Sequence, residues 1–127
     1  MYELNVPLRV MVGKKWFPLN LGDYRNSHYF TLNSAKKIFD IQIQNQLCLL
    51  PKLTKIKVHY EFFYSDKRIH DLNNNMSVVS KFFEDSLVLA KVIPDDNYLF
   101  IIGSSNSFGG ISKDNPRCQI TITEVTW

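Results

Sequence analysis

The chain has 127 residues, 45% hydrophobic and 21% charged, so we expect one domain with enough chain for its own core and little to spare. No apolar run approaches the roughly 18–20 residues that cross a bilayer, and the N-terminus lacks the apolar segment of a signal peptide. We therefore expect a cytoplasmic protein with no membrane partner. Cys48 and Cys118 lie far apart in the sequence and are predicted to be reduced thiols.

The net charge of +3 is unevenly distributed along the chain. Residues 1–60 carry nine Lys and Arg against three acidic residues, whereas residues 61–127 carry six against nine. A basic half beside an acidic cluster suits a protein that attracts a polyanion and holds a cation where the polyanion reacts. Solvated faces that happen to differ in charge explain the asymmetry equally well.

The N-terminal part is predicted to form a strand, a loop and a helix. Residues 2–12 are rich in β-forming residues, and Pro7 indicates an edge strand or a bulge. Residues 13–29 mix turn residues, cations and aromatics without periodicity, which predicts a loop. A helix is expected from residue 33 or 34 to Leu47, because its apolar residues follow the helical repeat.

The C-terminal part is predicted to alternate strands with one helix. The clearest strand is 54–64, where apolar residues alternate with polar ones, and a second helix is expected over 74–90. The remaining segments are predicted to be a turn at 94–97, a short strand at 98–102, a loop at 103–110 and a final strand at 117–125. The element order indicates an α+β or mixed α/β fold: a single small domain with one mixed β-sheet and two helices packed on it.

Carboxylates flank the second predicted helix. Asp71 follows the long strand, and Asp95 and Asp96 come just before the next one. If those two strands are neighbours, we expect the three side chains to converge at one edge of the sheet. Lys81 and Asp85 are four residues apart and so share a face of the helix, with Glu84 as a competing partner for the lysine.

Oxygen ligands without clustered His or Cys favour Mg²⁺ or Mn²⁺, and a metal on carboxylates suits phosphodiester hydrolysis, where a lysine stabilises the leaving oxygen. Each feature also has a purely structural explanation. Asp71 and Asn73 are good helix caps, and P-D-D-N is a common type I turn. Lys81 with Asp85 is typical of an exposed ion pair of little energetic weight.

The motifs H-D-L-N-N, K-F-F-E-D-S-L, P-D-D-N and R-C-Q-I-T-I-T-E resemble, in this order, those of the RusA-type Holliday-junction resolvases, endonucleases of bacteria and their phages. The segment L-N-L-G-D-Y-R-N-S-H-Y also resembles the family's N-terminal loop. The resemblance covers nearly the whole chain. It implies one RusA-like endonuclease domain over residues 1–127, which binds four-way DNA junctions as a homodimer and resolves them by paired cuts with Mg²⁺, for which Mn²⁺ can substitute. The expected location is the cytosol of a bacterium or of a phage-infected host.

The resemblance also assigns roles to residues. Asp71, Asp95 and Asp96 resemble the catalytic acidic residues, Lys81 the catalytic lysine, and Asp85 the supporting aspartate of the helix. The implied metal ligands are Asp71, Asn73, Asp95 and Asp96.

Two departures from the family pattern concern this site. Asn73 replaces the second aspartate, which removes a negative charge. The segment between Asp71 and Lys81 is longer by about one helical turn; an added turn displaces Lys81 by roughly 5 Å, whereas a bulge before the helix leaves it in place.

Candidate DNA contacts come mostly from the basic half. They are Lys14, Lys15, Arg25, Lys36 and Lys37 for phosphates, and Phe108 for stacking at the junction crossover from a flexible loop. A Phe108 packed back onto the core is the alternative. Three hypotheses follow: an active metal-dependent nuclease in which Asn73 ligates through its carbonyl oxygen, a structure-selective DNA-binding protein without cutting, and a small intracellular interaction protein with an incidental acidic cluster.

Overall fold

The computed structural model describes residues 1–126, which form a four-stranded mixed sheet, a separate two-stranded hairpin and three helices. The strands are β1 (Tyr2–Val6), β2 (Arg9–Val12), β3 (Lys15–Pro18), β4 (Ile56–Tyr64), β5 (Ile101–Ile111) and β6 (Arg117–Glu124). The helices are α1 (Leu21–Asn26), α2 (Tyr29–Leu47) and α3 (Leu72–Leu89). The predicted fold class of a small mixed α+β domain is confirmed.

The four-stranded sheet has the order β1-β6-β4-β5. β6 is antiparallel to both β1 and β4, whereas β5 runs parallel to β4. Side chains of a strand point alternately to the two faces of the sheet, and in β4 the buried face carries Ile56, Val58, Tyr60, Phe62 and Tyr64. The intervening β4 side chains are exposed or half-buried, so the core lies on one face of the sheet.

Helices α2 and α3 pack on that face. α2 buries one residue each turn, at Ala35, Phe39, Ile43 and Leu47. Phe39 meets Phe82 of α3 edge-on with ring centroids 5.6 Å apart, and Phe83 meets Tyr60 of the sheet edge-on at 6.3 Å. Burying a large apolar side chain contributes about 1.5–3 kcal/mol, so these contacts fix both helices on the sheet.

The two edges of the sheet differ. On β1, the Asn5 N–H donates to Gln46 Oε1 at 2.7 Å, and Gln46 Nε2 donates back to the Asn5 carbonyl at 2.8 Å. The side-chain amide of Gln46 thus bonds the backbone as a neighbouring strand would. At the other edge, β5 has eleven residues and no charged side chain.

The prediction of one strand at 2–12 followed by a loop at 13–29 is wrong. The first segment contains two strands separated at Pro7, of which β1 is an edge strand as expected. The predicted loop contains β3, which pairs with β2 in a hairpin, and the six-residue α1. Gly13 makes the hairpin possible, because its φ of 63° lies in the region that other residues rarely adopt.

Both long helices start earlier than predicted. α2 begins at Tyr29, because His28 Nδ1 accepts the Phe30 N–H at 3.3 Å and caps the helix. α3 begins at Leu72, directly after Asp71. Their C-terminal ends lie within one residue of the expected positions, and β6 also matches its prediction closely.

The prediction of a strand at 98–102 and a loop at 103–110 is also wrong, because one continuous strand, β5, covers Ile101–Ile111. Pairing with the backbone of β4 holds the glycines and serines extended, and two shifts of register absorb extra residues. Phe108 therefore lies in a strand and not in a flexible loop. Cys48 and Cys118 are free thiols, as predicted. Within residues 1–126, no helix is long and apolar enough to cross a membrane.

Candidate functional site

Asp71 is the N-cap of α3. Its Oδ1 accepts the backbone N–H groups of Asn73 and Asn74 at 3.0 and 3.3 Å, so the structural explanation for this aspartate is confirmed. Its carboxylate also lies near the Tyr64 hydroxyl: burial, the nearby Cys118 and the charge of Asp71, in that order, raise the pKa of Tyr64 to about 12. Asp71 thus has a fixed position at the C-terminal end of β4.

Three consecutive asparagines tie the start of α3 to its surroundings. Asn73 Oδ1 accepts from Asn106 Nδ2 of β5 at 2.8 Å, and Asn74 Oδ1 accepts the Leu21 N–H of α1 at 2.9 Å. Asn75 accepts from the Tyr64 hydroxyl at 2.9 Å. Asn73 is therefore not a cap, and its amide oxygen already has a hydrogen-bond donor.

The longer segment between Asp71 and Lys81 is accommodated inside the helix. α3 is continuous from Leu72 to Leu89, so every residue between Asp71 and Lys81 is helical and no bulge precedes the helix. Lys81 lies about 15 Å along the axis from Asp71 at 1.5 Å per residue. Its ammonium group is 5.7 Å from the Tyr24 ring centroid, within the range of a cation–π contact.

A cluster of acidic side chains lies near the other end of α3. Asp85 forms an ion pair with Lys36 of α2 at 3.3 Å, so the expected pairing of Asp85 with Lys81 is wrong. Asp85, Asp95 and Asp96 line one cavity of about 380 Å³, together with Lys36. Because lysine and carboxylate side chains alternate in this cavity, it is not specialised for binding either an anion or a cation.

Glu84 belongs to the same cluster of acidic side chains as Asp85 and Asp96. Burial, and then the charges of Asp96 and Asp85, raise its pKa to about 7, although Lys81 opposes the shift. The spacing of Glu84 in the sequence predicts only a pairing with Lys81. Its position next to the buried Phe82 and Phe83 was the available signal that it would be removed from water.

The predicted convergence of Asp71 with Asp95 and Asp96 is wrong. β4 and β5 are neighbours, as the prediction required, but they run parallel. The C-terminal end of β4 and the N-terminal end of β5 therefore lie at opposite ends of these two strands. Asp71 is at the start of α3, whereas Asp95 and Asp96 share a cavity with Leu89 at its end.

The implied Mg²⁺ does not fit the four predicted ligands within one chain. Among residues 1–126, no three His, Cys, Asp or Glu side chains are grouped so that they could hold a metal ion. The oxygens are also used locally, since Asp95 accepts the Asp96 N–H at 2.8 Å and the Asn97 side chain at 3.0 Å. The first of these contacts is the main reason why the pKa of Asp95 is lowered.

The predicted phosphate contacts lie on several elements. Lys14 and Lys15 are exposed at the turn of the β2–β3 hairpin, Arg25 is exposed in α1, and Lys37 is exposed on α2. Lys36 differs, because it is half-buried in its ion pair with Asp85. Four of the five cations are therefore free to reach a polyanion.

Phe108 is part of an aromatic column at the C-terminal end of β4. Its ring is 57% exposed and lies 6.3 Å from Tyr64, which in turn stacks on His70 at 3.8 Å. Lys67 and Arg68 line the same surface. Phe108 is thus packed on one side and open on the other, at the same end of the sheet as Asp71.

Searched against models of known protein families and against curated proteins, the chain matches none. The resemblance to the RusA-type resolvases therefore rests on the sequence motifs alone.

Proposed function

We propose that the protein is a RusA-type endodeoxyribonuclease, which binds four-way DNA junctions and cuts them in a Mg²⁺-dependent reaction. The observation that carries the proposal is the placement of the motif residues on their elements. Asp71 lies between β4 and α3, Lys81 lies on α3, and Asp95 and Asp96 precede β5, in the order of the family pattern.

Binding is the part of this activity that the charge distribution supports directly. Lys14, Lys15, Arg25 and Lys37 are exposed cations in the basic half of the chain, and cations of this kind displace counterions from DNA phosphates. Phe108 and its aromatic neighbours lie beside Lys67 and Arg68. Arg68 is paired with Asp66 at 2.9 Å, so Lys67 is the cation beside the open ring, an arrangement that suits an exposed base.

A divalent ion would supply an activated water and neutralise charge at the phosphorus. Because the four predicted ligands lie in two groups, we assign no step to the metal. In this proposal Asp71 and Asp96 remain the residues on which cutting depends.

A homodimer is part of the proposal. A four-way junction has two-fold symmetry, and paired cuts in strands of like polarity need two active sites related by that symmetry. Sedimentation at micromolar concentration, with and without junction DNA, tests this; a species that stays monomeric in both would contradict it. The cytosol of a bacterium or of a phage-infected host is the location consistent with this substrate.

A second candidate is binding of junctions without cutting. The separation of Asp71 from Asp95 and Asp96 favours it, since α3 has 18 residues and so is about 27 Å long. Both candidates predict salt-dependent binding of branched DNA, and only the first predicts cleavage products.

The deciding experiment measures binding and cleavage of one labelled four-way junction against Mg²⁺ and Mn²⁺ concentration. Asp71→Asn and Asp96→Asn should each abolish cleavage while binding is kept, and asparagine preserves the cap at position 71. Asp114→Asn, at an exposed aspartate between β5 and β6, is the control that should cut normally. Tight junction binding by the wild type without cutting in either metal would establish the second candidate.

A further inference from the structure

The beginning of α2 exposes three adjacent aromatic rings. Tyr29 and Phe30 are 59% and 64% exposed, and their ring centroids lie 4.3 Å apart with the planes inclined by 28°. The His28 ring stacks on both, at 5.1 and 5.2 Å. Neither Tyr29 nor Phe30 belongs to the core, so packing within this chain does not account for the rings.

Cations outnumber acidic residues in the segment that carries these rings, which is flanked by Asp23 and Asp40. Residues 24–39 contain Arg25, Lys36 and Lys37 and no aspartate or glutamate. Phe30 and Lys37 are seven residues apart on α2, which places them on the same face about 10 Å from each other. A ligand that touches both would be flat and apolar at one point and negatively charged two helical turns away.

We propose that His28, Tyr29 and Phe30 form a stacking platform for unpaired bases of single-stranded DNA, with Arg25 and Lys37 contacting its phosphates. Every base has a π-face, and stacking on aromatic side chains beside cations is how proteins hold single strands without sequence preference. A paired base inside a duplex has both faces covered by its neighbours, so the platform selects strands that are open.

The choice of DNA as the ligand rests on the proposed function, and the inference extends it. The phosphate contacts proposed for the junction arms follow from charge alone, whereas the platform adds a preference for branched DNA with a gap or a single-stranded tail. The three rings are not among the residues assigned to cutting, whereas Lys37 lines the cavity that also contains Asp85, Asp95 and Asp96, so the test replaces only the rings.

The test measures the affinity of the purified protein for three labelled DNAs by fluorescence anisotropy: a short oligothymidylate, a duplex and an intact four-way junction. The double variant Tyr29→Ala/Phe30→Ala should bind oligothymidylate roughly 5- to 150-fold more weakly, the range expected for loss of one stacked base. Its affinity for the duplex should stay unchanged.

Two further variants separate stacking from general apolar contact and from loss of structure. Tyr29→Leu/Phe30→Leu keeps apolar side chains without rings and should lose as much affinity as the alanine variant. Ile41→Ala removes an apolar side chain that is 65% exposed on the same helix and should bind all three DNAs as the wild type does. Thermal unfolding should be nearly unchanged in all of them, since the replaced side chains are exposed.

The outcomes distinguish this inference from the proposed function. A wild type that does not bind oligothymidylate, or variants that lose single-strand and duplex affinity equally, would overturn the platform even if junctions are bound and cut. A wild type that binds the junction no better than the duplex, but loses single-strand affinity in the ring variants, would overturn the junction function and leave the platform standing.

Discussion

The surroundings of Glu84 predict both the direction and the size of a pH effect on the free energy of unfolding. The pKa of Glu84 is raised from 4.5 to about 7, first by burial and then by the charges of Asp96 and Asp85. Between these two pH values the folded protein holds a proton that the unfolded chain has released. The free energy of unfolding therefore falls as the pH rises through this window and is level above it.

The magnitude can be bounded. At about 1.4 kcal/mol per pKa unit, the difference corresponds to about 3 kcal/mol. Glu84 is only part-buried and water screens its neighbours, so we expect about 1–2 kcal/mol. Glu84→Gln removes the charge with little change of shape and should stabilise the protein by that amount near pH 8, and hardly at all near pH 4.5.

Urea unfolding of wild type and Glu84→Gln at these two pH values measures the effect as a shift in midpoint. Glu124→Gln, at an exposed position at the end of β6, is the matched control and should show no such pH dependence. A Glu84→Gln protein that is less stable than wild type at the higher pH would refute the reasoning. So would a difference in stability from wild type that is the same at both pH values.

Further predictions concern stability. Asp71→Ala should cost about 1 kcal/mol in urea unfolding through loss of the helix cap, whereas Asp71→Asn should be nearly neutral; equal effects would contradict the capping role. Tyr60→Phe should raise the free energy of unfolding in urea by about 1 kcal/mol, since the fully buried hydroxyl has no hydrogen-bond partner within the described chain. Gly109→Ala should lower the thermal midpoint, because a Cβ there would lie 2.6 Å from the Phe63 ring, with a cost of about 1–3 kcal/mol; an unchanged midpoint would mean that the ring moves freely.

Much of the core could be predicted because its pattern is local. In β4 the alternation of apolar and polar residues is the direct result of side chains pointing to opposite faces of a half-buried sheet. In α3 the apolar residues at Val79, Phe83 and Leu87 recur once per turn, which predicts the buried stripe. These signals need no knowledge of which other elements are nearby.

β5 could not be predicted in the same way. Glycine, serine and asparagine have little preference for strands, and their conformation here is imposed by hydrogen bonds to β4. The direction of β5 was open to prediction, however, because a strand, a long helix and an adjacent strand normally form a parallel pair. Applied to Asp71 and Asp96, that rule would have placed them apart.

The side-chain pairs of the candidate site depend on how helices pack. Lys36 and Asp85 meet because α2 lies against α3, and spacing within α3 alone favoured Lys81 as the partner. Asp71 was different, since its capping role depends only on the residues that follow it.

The backbone of the sheet has one edge where another strand can be added. At β1 the Gln46 amide already satisfies the Asn5 N–H and carbonyl, while β5 carries no charge to repel an incoming strand. Growth of the sheet from one molecule to the next is therefore expected to start at β5. Two copies joined through this edge would each turn β1 outward, where the Gln46 amide occupies the backbone groups of Asn5, and this occupation disfavours further strand addition into a fibre.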